Sequence, residues 1–141
     1  MDPQDFLNTA NLLVNSSEQS DLRTSVSRSY YAVILFCRDY FAKNVGFLPE
    51  DLSSAVHKFV PQCFNESGSF EAQKIGKTIE RLKQERTNAD YHTLSKTVSG
   101  TKAGDCLQLA RKLINCLISK GVEQEVLAQA KTRAKARQLI L

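Results

Sequence analysis

Arg86 and His92 are the first residues to invite a chemical reading. At about 100° per residue, Ile75, Ile79, Leu82 and Ala89 form one apolar helical face, and Arg86 falls within that stripe. A guanidinium aimed at a bundle interior is costly unless it is paired or put to use. His92 lies about 120° around an ideal helix from Arg86 and about 9 Å further along it. The two share a site only where the helix ends near Tyr91, or where a second subunit completes a cleft. Thr93, Ser95 and the polar run up to Gly104 predict such an end. Two readings stay open for each residue. Arg86 is either a buried cation paired with Asp39 or Asp90, or a working group. His92 is either a solvated residue set favourably against a helix dipole, or part of a site with Arg86. Asp90, flanking the stripe, reads as an ion-pair partner or orienter for an arginine. His57 reads as a packing or capping residue, and Tyr30 and Tyr31 as core or interface rings whose hydroxyls reach the surface.

Other chemistries find little support. Cys37, Cys63, Cys106 and Cys116 are scattered in apolar stretches without a CxxC pair, the usage of reduced, buried thiols. With His57 and His92 as the only histidines, no Cys/His metal site is expected, and no cofactor. Ser99-Gly100-Thr101-Lys102-Ala103-Gly104 superficially resembles a phosphate loop. It lacks GxxxxGK[ST] and a preceding strand, so it reads as a turn into a helix.

The elements around these residues read as helices joined by short loops. Asp2 can cap a first helix with Pro3 at its first position, and Phe6, Ala10 and Leu13 recur on one face. Ser16, Ser17 and Ser20 break it. A long second helix starts near Asp21, stepping through Leu22, Val26, Tyr30, Val33, Cys37 and Phe41. From Tyr30 to Cys37 it is apolar nearly all round, which makes it the central helix. Gly46 and Pro49 end it. A third helix runs from about Glu50 to Val60 and is broken at Pro61. The fourth, carrying Arg86, starts near Phe70, and a loop from Ser95 to Gly104 precedes a fifth with Leu107, Ala110, Leu113, Ile114 and Leu117 in phase. Gly121 stops it, and 122–141 has high helix propensity. No period-two strand pattern of any length occurs. The expectation is all-α: an up-and-down antiparallel bundle of four to five core helices over 1–121, with an extra basic C-terminal helix over 122–141.

Charge sharpens that division. Lys131, Arg133, Lys135 and Arg137 lie in a stretch without an acid, and without them the basic residues would equal the 15 acidic ones. A local basic element is therefore expected at this end, with a neutral body. One use for it is a helix that docks a partner through Val126, Leu127, Ala130, Leu139, Ile140 and Leu141; the plainer one is packing on its own bundle. The chain has an acidic start without a signal-like apolar region and no run long enough to span a membrane, which points to a cytoplasmic protein.

Ser27-Arg28-Ser29-Tyr30-Tyr31-Ala32, Val56-His57-Lys58-Phe59 and Arg86-Thr87-Asn88-Ala89-Asp90-Tyr91-His92 together resemble the HEPN domain, over roughly residues 5 to 118. The family's signature is an arginine and a histidine with four to six residues between them, and Arg86 and His92 match it, with five residues between. Thr87 stands where active members carry Asn, Asp or His. Leu94 stands where members silenced by antitoxin modification carry a tyrosine. The resemblance implies a metal-independent endoribonuclease that works as a homodimer, often beside a nucleotidyltransferase-type antitoxin, with Asn88, Asp90 and Tyr91 supporting the pair. In that chemistry His92 takes the proton from a ribose 2′-hydroxyl and Arg86 stabilises the phosphoryl oxygens. The alternative is a non-catalytic helical module that binds a partner protein or a nucleotide through the same end.

If the basic tail grips RNA, changing Lys131, Arg133, Lys135 and Arg137 to Gln should weaken binding and flatten its salt dependence. A titration of RNA affinity against salt checks this; an unchanged slope assigns the tail to packing or to a protein partner.

Overall fold

The computed structural model describes residues 2–46 and 55–136. Within them lie six helices: α1 (Pro3–Leu13), α2 (Gln19–Val45), α3 (Val56–Asn65), α4 (Phe70–Tyr91), α5 (Gly100–Lys120) and α6 (Gln124–Ala136). The described residues contain no strand. The fold is an all-α helical bundle.

Local signals set the boundaries. The Asp2 carboxylate accepts from the Gln4 N–H at 2.9 Å, with Pro3 opening α1. Ser69 and Ser99 cap α4 and α5 through the Ala72 and Lys102 N–H groups. Gly46 and Gly121 close α2 and α5 at positive φ, where a Cβ would be strained. α2 is the axis of the molecule and packs against each of the other five helices. Its buried side chains (Val26, Tyr30, Val33, Ile34, Cys37 and Phe41 among them) fan out around it, as its apolar circumference demands. A buried serine ties α1 to α2, Ser25 donating to the Ala10 carbonyl at 2.8 Å, and Ser29 is satisfied within α2 by the Ser25 carbonyl at 3.0 Å.

On α1, Leu7 and Ala10 are buried, Phe6 packs against the core and Leu13 is half-buried. Three expectations need correction. The third helix does not break at Pro61. It runs from Val56 through Pro61 to Asn65, and the expected start at Glu50 lies outside the described residues. A proline there removes one N–H, and the carbonyl it leaves free, that of His57, accepts instead from Lys83 Nζ on α4 at 3.3 Å. The loop expected up to Gly104 ends at Ser99, whose cap starts α5 at Gly100. Finally, Val126 and Ala130 are buried with Ala134 in the bundle, so they are not open anchors for a partner; Leu139, Ile140 and Leu141 lie outside the described residues.

The approach of α3 to α4 is tightest at Gly76. A Cβ there would collide with the Asn65 side chain and come within 3.0 Å of its backbone nitrogen. Gly76→Ala should therefore destabilise by about 1–3 kcal/mol, although alanine is the better helix former by about 1 kcal/mol. Chemical unfolding checks the sign, and a stabilised variant would mean that the two helices can separate freely.

Candidate functional site

α2 and α4 face one another around Arg86. Its side chain is 11% exposed, and its guanidinium carbon lies 5.1 Å from the centre of the Tyr30 ring and 5.6 Å from that of Tyr31, both on α2. Tyr91, one turn onward on α4, contributes a third ring at 6.0 Å. Such stacking suits a guanidinium, which is weakly hydrated and planar. The ion pair is loose by comparison: Arg86 Nη1 stands 3.9 Å from Asp90 Oδ2, which also accepts from Ser27 Oγ at 3.4 Å. Arg86 Nε is buried and has no hydrogen-bond partner. The cation is held by rings while part of its donor set stays unmatched.

Tyr30 is fully buried, which corrects the expectation that its hydroxyl reaches the surface. The hydroxyl instead meets His57 Nδ1 at 2.7 Å, with the two rings stacked 5.6 Å apart. Tyr31 meets the same imidazole edge-on at 5.7 Å. Burial pushes the Tyr30 hydroxyl up to about 12, against the opposing pull of Arg86. Burial, then the positive charges of Arg86 and Lys83, hold His57 below its ordinary value.

The end of α4 is built by residues that periodicity alone does not flag. Arg23 on α2 donates to the carbonyls of Ala89 at 2.9 Å and Asn88 at 3.3 Å, and also to that of Lys96. A cation at this position satisfies the last carbonyls of the helix and its negative dipole end. Gln19 holds both polar groups of the Val98 backbone, at 2.6 and 3.1 Å. α4 therefore stops at Tyr91, and His92 is its exposed C-cap, with its N–H on the Asn88 carbonyl.

The structure thus brings Arg86, Asp90 and Tyr91 together with Tyr30, Tyr31 and His57. His92 sits just past them at the surface, beside Tyr91 (72% exposed) and the fully exposed Leu94. Asn88 turns its side chain to Gln84 at 3.2 Å and serves the site through its carbonyl. The basic C-terminal residues are elsewhere. Arg133 pairs with Glu66 at 2.6 and 2.9 Å, Lys131 and Lys135 are exposed, and Arg137 lies outside the described residues. Among the described residues no cluster of three or more His, Cys, Asp or Glu could hold a metal, and no helix is long and apolar enough to cross a membrane. His57 is the site neighbour that sequence reasoning undervalued. Its signal was the segment Val56-His57-Lys58-Phe59, whose spatial partner no local pattern names.

The model of the HEPN domain family matches residues 4–122, from α1 through the end of α5, and the chain belongs to that family. α6 lies beyond the match. Comparison with curated proteins and with solved structures gives no match.

Exposure separates the expected effects of two substitutions. His92→Ala should change stability by no more than about 0.5 kcal/mol, as surface sites do. Arg86→Ala removes a desolvated cation from three rings and should cost about 2 kcal/mol. Thermal unfolding of both variants checks this, and equal losses would contradict the burial difference.

Proposed function

We propose that this protein is a metal-independent endoribonuclease that works as a homodimer, with Arg86 and His92 as its catalytic pair. The observation that carries the reading is the state of Arg86: a guanidinium held by stacked rings, with Nε unpartnered and its ion pair stretched to 3.9 Å. Its Nη end, held by no close carboxylate, suits a phosphodiester, whose oxygens match the guanidinium fork. His92, exposed at the helix end, is free to meet a ribose. It takes the 2′-hydroxyl proton as the 2′-oxygen attacks phosphorus, and Arg86 stabilises the charge on the phosphoryl oxygens. The bond to the 5′-oxygen breaks, and that oxygen collects a proton. A 2′,3′-cyclic phosphate and a 5′-hydroxyl result.

Two features support the dimer. Tyr91 and Leu94 form an uncovered apolar flank on either side of His92, the kind of surface that a second copy covers. A partner also brings a second Arg/His pair into one cleft. Exposed Lys131 and Lys135 add sequence-independent phosphate attraction. The cellular setting that fits is cytoplasmic, as the toxin of a pair with a nucleotidyltransferase-type antitoxin or in defence.

One observation favours a second reading. Three rings and Asp90 already give Arg86 a structural role, as in a non-catalytic module that binds a partner protein or nucleotide at the same end.

Cleavage of an RNA substrate decides between them. Activity should survive excess EDTA. Arg86→Ala and His92→Ala should each lose about 10² to 10⁴-fold, and the double variant little more, because residues that act as one unit lose rate non-additively. Sedimentation should show a dimer at about tens of micromolar, the equilibrium shifting with concentration by mass action. A folded His92→Ala protein with full cleavage sinks the catalytic assignment, and a magnesium requirement sinks the mechanism.

A further inference from the structure

His57 is placed by three helices at once. Its own helix, α3, presents the ring. α2 holds that ring through Tyr30 at 2.7 Å and Tyr31 at 5.7 Å. α4 holds its backbone, because Lys83 Nζ reaches the carbonyl that Pro61 leaves without a helical donor. The two helices that grip His57 are the two that grip Arg86, and both grips use the same aromatic ring. Arg86 faces the Tyr30 ring as a charge, its guanidinium carbon 5.1 Å from the ring centre.

The direction of the Tyr30–His57 hydrogen bond follows. Tyr30 stays protonated across the physiological range, and an imidazole among cations stays neutral above its ordinary value. Tyr30 O–H then donates to His57 Nδ1, and the proton of the neutral ring sits on Nε2. A proton on Nδ1 destroys that order. The Tyr30 O–H and the new His57 Nδ1–H then point at one another across 2.7 Å, so the hydroxyl must turn away, and the new charge faces Arg86 and Lys83. Glu80 is the acid that acts on Tyr30, and nothing in the ring's own bond offsets the added charge.

We infer that His57 is a positioning residue for Arg86: its hydrogen bond to Tyr30 locks the aromatic cage around the guanidinium, and a proton on His57 unlocks it. What the locked guanidinium does to RNA rests on the nuclease reading; the lock itself does not. The class of ligand is unchanged, a phosphodiester at Arg86, but its grip becomes sensitive to pH on the acid side. Stability carries the same sign. Below about pH 6.5 the unfolded chain protonates this histidine first, so the folded state weakens as pH falls, and the contribution vanishes above that range.

NMR tests the lock without any substrate. In a His92→Gln background His57 is the sole imidazole, and the Arg86 Nε–H resonance, displaced by the surrounding rings, reports the cage. The Arg86 resonance should move with the same midpoint as the His57 ring. His57→Asn, whose side-chain oxygen stands in for Nδ1 as an acceptor that does not titrate, should make it flat. Tyr30→Phe, which keeps the ring and loses the hydroxyl, should raise the His57 midpoint. Binding of a 2′-O-methyl RNA oligonucleotide, which cannot be cleaved, adds the functional arm. At neutral pH, His57→Phe should weaken it roughly tenfold, as for a lost buried hydrogen bond, and His57→Asn should restore most of that loss. An Arg86 resonance indifferent to His57 protonation overturns the inference, as does a His57 midpoint unmoved by Tyr30→Phe. RNA binding that strengthens as His57 protonates also overturns it, since the imidazole would then be a simple phosphate contact. An intact lock in a protein that neither binds nor cleaves RNA leaves the inference standing and removes the nuclease reading.

Discussion

A guanidinium buried in a helical bundle has to be supplied with partners, and the way Arg86 is supplied governs the arrangement around it. The rings of Tyr30 and Tyr31 on α2 and Tyr91 on α4 surround it at 5.1 to 6.0 Å. A desolvated cation–π contact is worth about 2 kcal/mol, but it demands that both helices hold their register. α2 must turn consecutive tyrosines toward α4, and α4 must end soon enough for Tyr91 to lie over the cation. Arg23 enforces that end by taking the carbonyls of Asn88 and Ala89. One arginine of α2 thus stops the helix in which the other arginine works.

The contrast with Arg133 shows what the aromatic holding achieves. Arg133 makes two short contacts to Glu66 and ties α6 to α3, although its Nη1 is buried without a partner. Arg86 has an acid nearby too, but at 3.9 Å, and ring faces supply attraction without consuming in-plane N–H donors. The same residue type is therefore a carboxylate clasp in one place and a ring-held cation with no close carboxylate in the other. Burial raises the value of those donors, because a low-dielectric surrounding strengthens any anion they meet.

Pro61 links backbone chemistry to this site. A proline inside a helix ordinarily costs about 3 kcal/mol, partly through the orphaned carbonyl four residues back. Here that carbonyl belongs to His57 and receives Lys83. The defect becomes an attachment between α3 and α4, close to the point where His57 meets Tyr30. The fold thereby joins three helices through one imidazole.

Much of this was legible in one dimension. Apolar spacing located the helices and made α2 central, since a segment apolar all round has no solvent face to offer. Asp2-Pro3, Gly46 and Gly121 marked their own boundaries, because caps and positive-φ turns depend on local backbone chemistry. The stripe through Ile79, Leu82 and Ala89 already placed Arg86 inside, with Asp90 one turn away. Tertiary structure alone decided what met across the bundle. Residues 30, 57 and 86 are brought together by packing over long sequence separations, and no periodicity encodes which hydroxyl faces which nitrogen. The same holds for Pro61, where helix propensity argued for a break and a lysine from another helix supplied the missing donor. Local signals determine where a helix can begin and end; the partner of a buried polar group is settled only when the chain has closed around it.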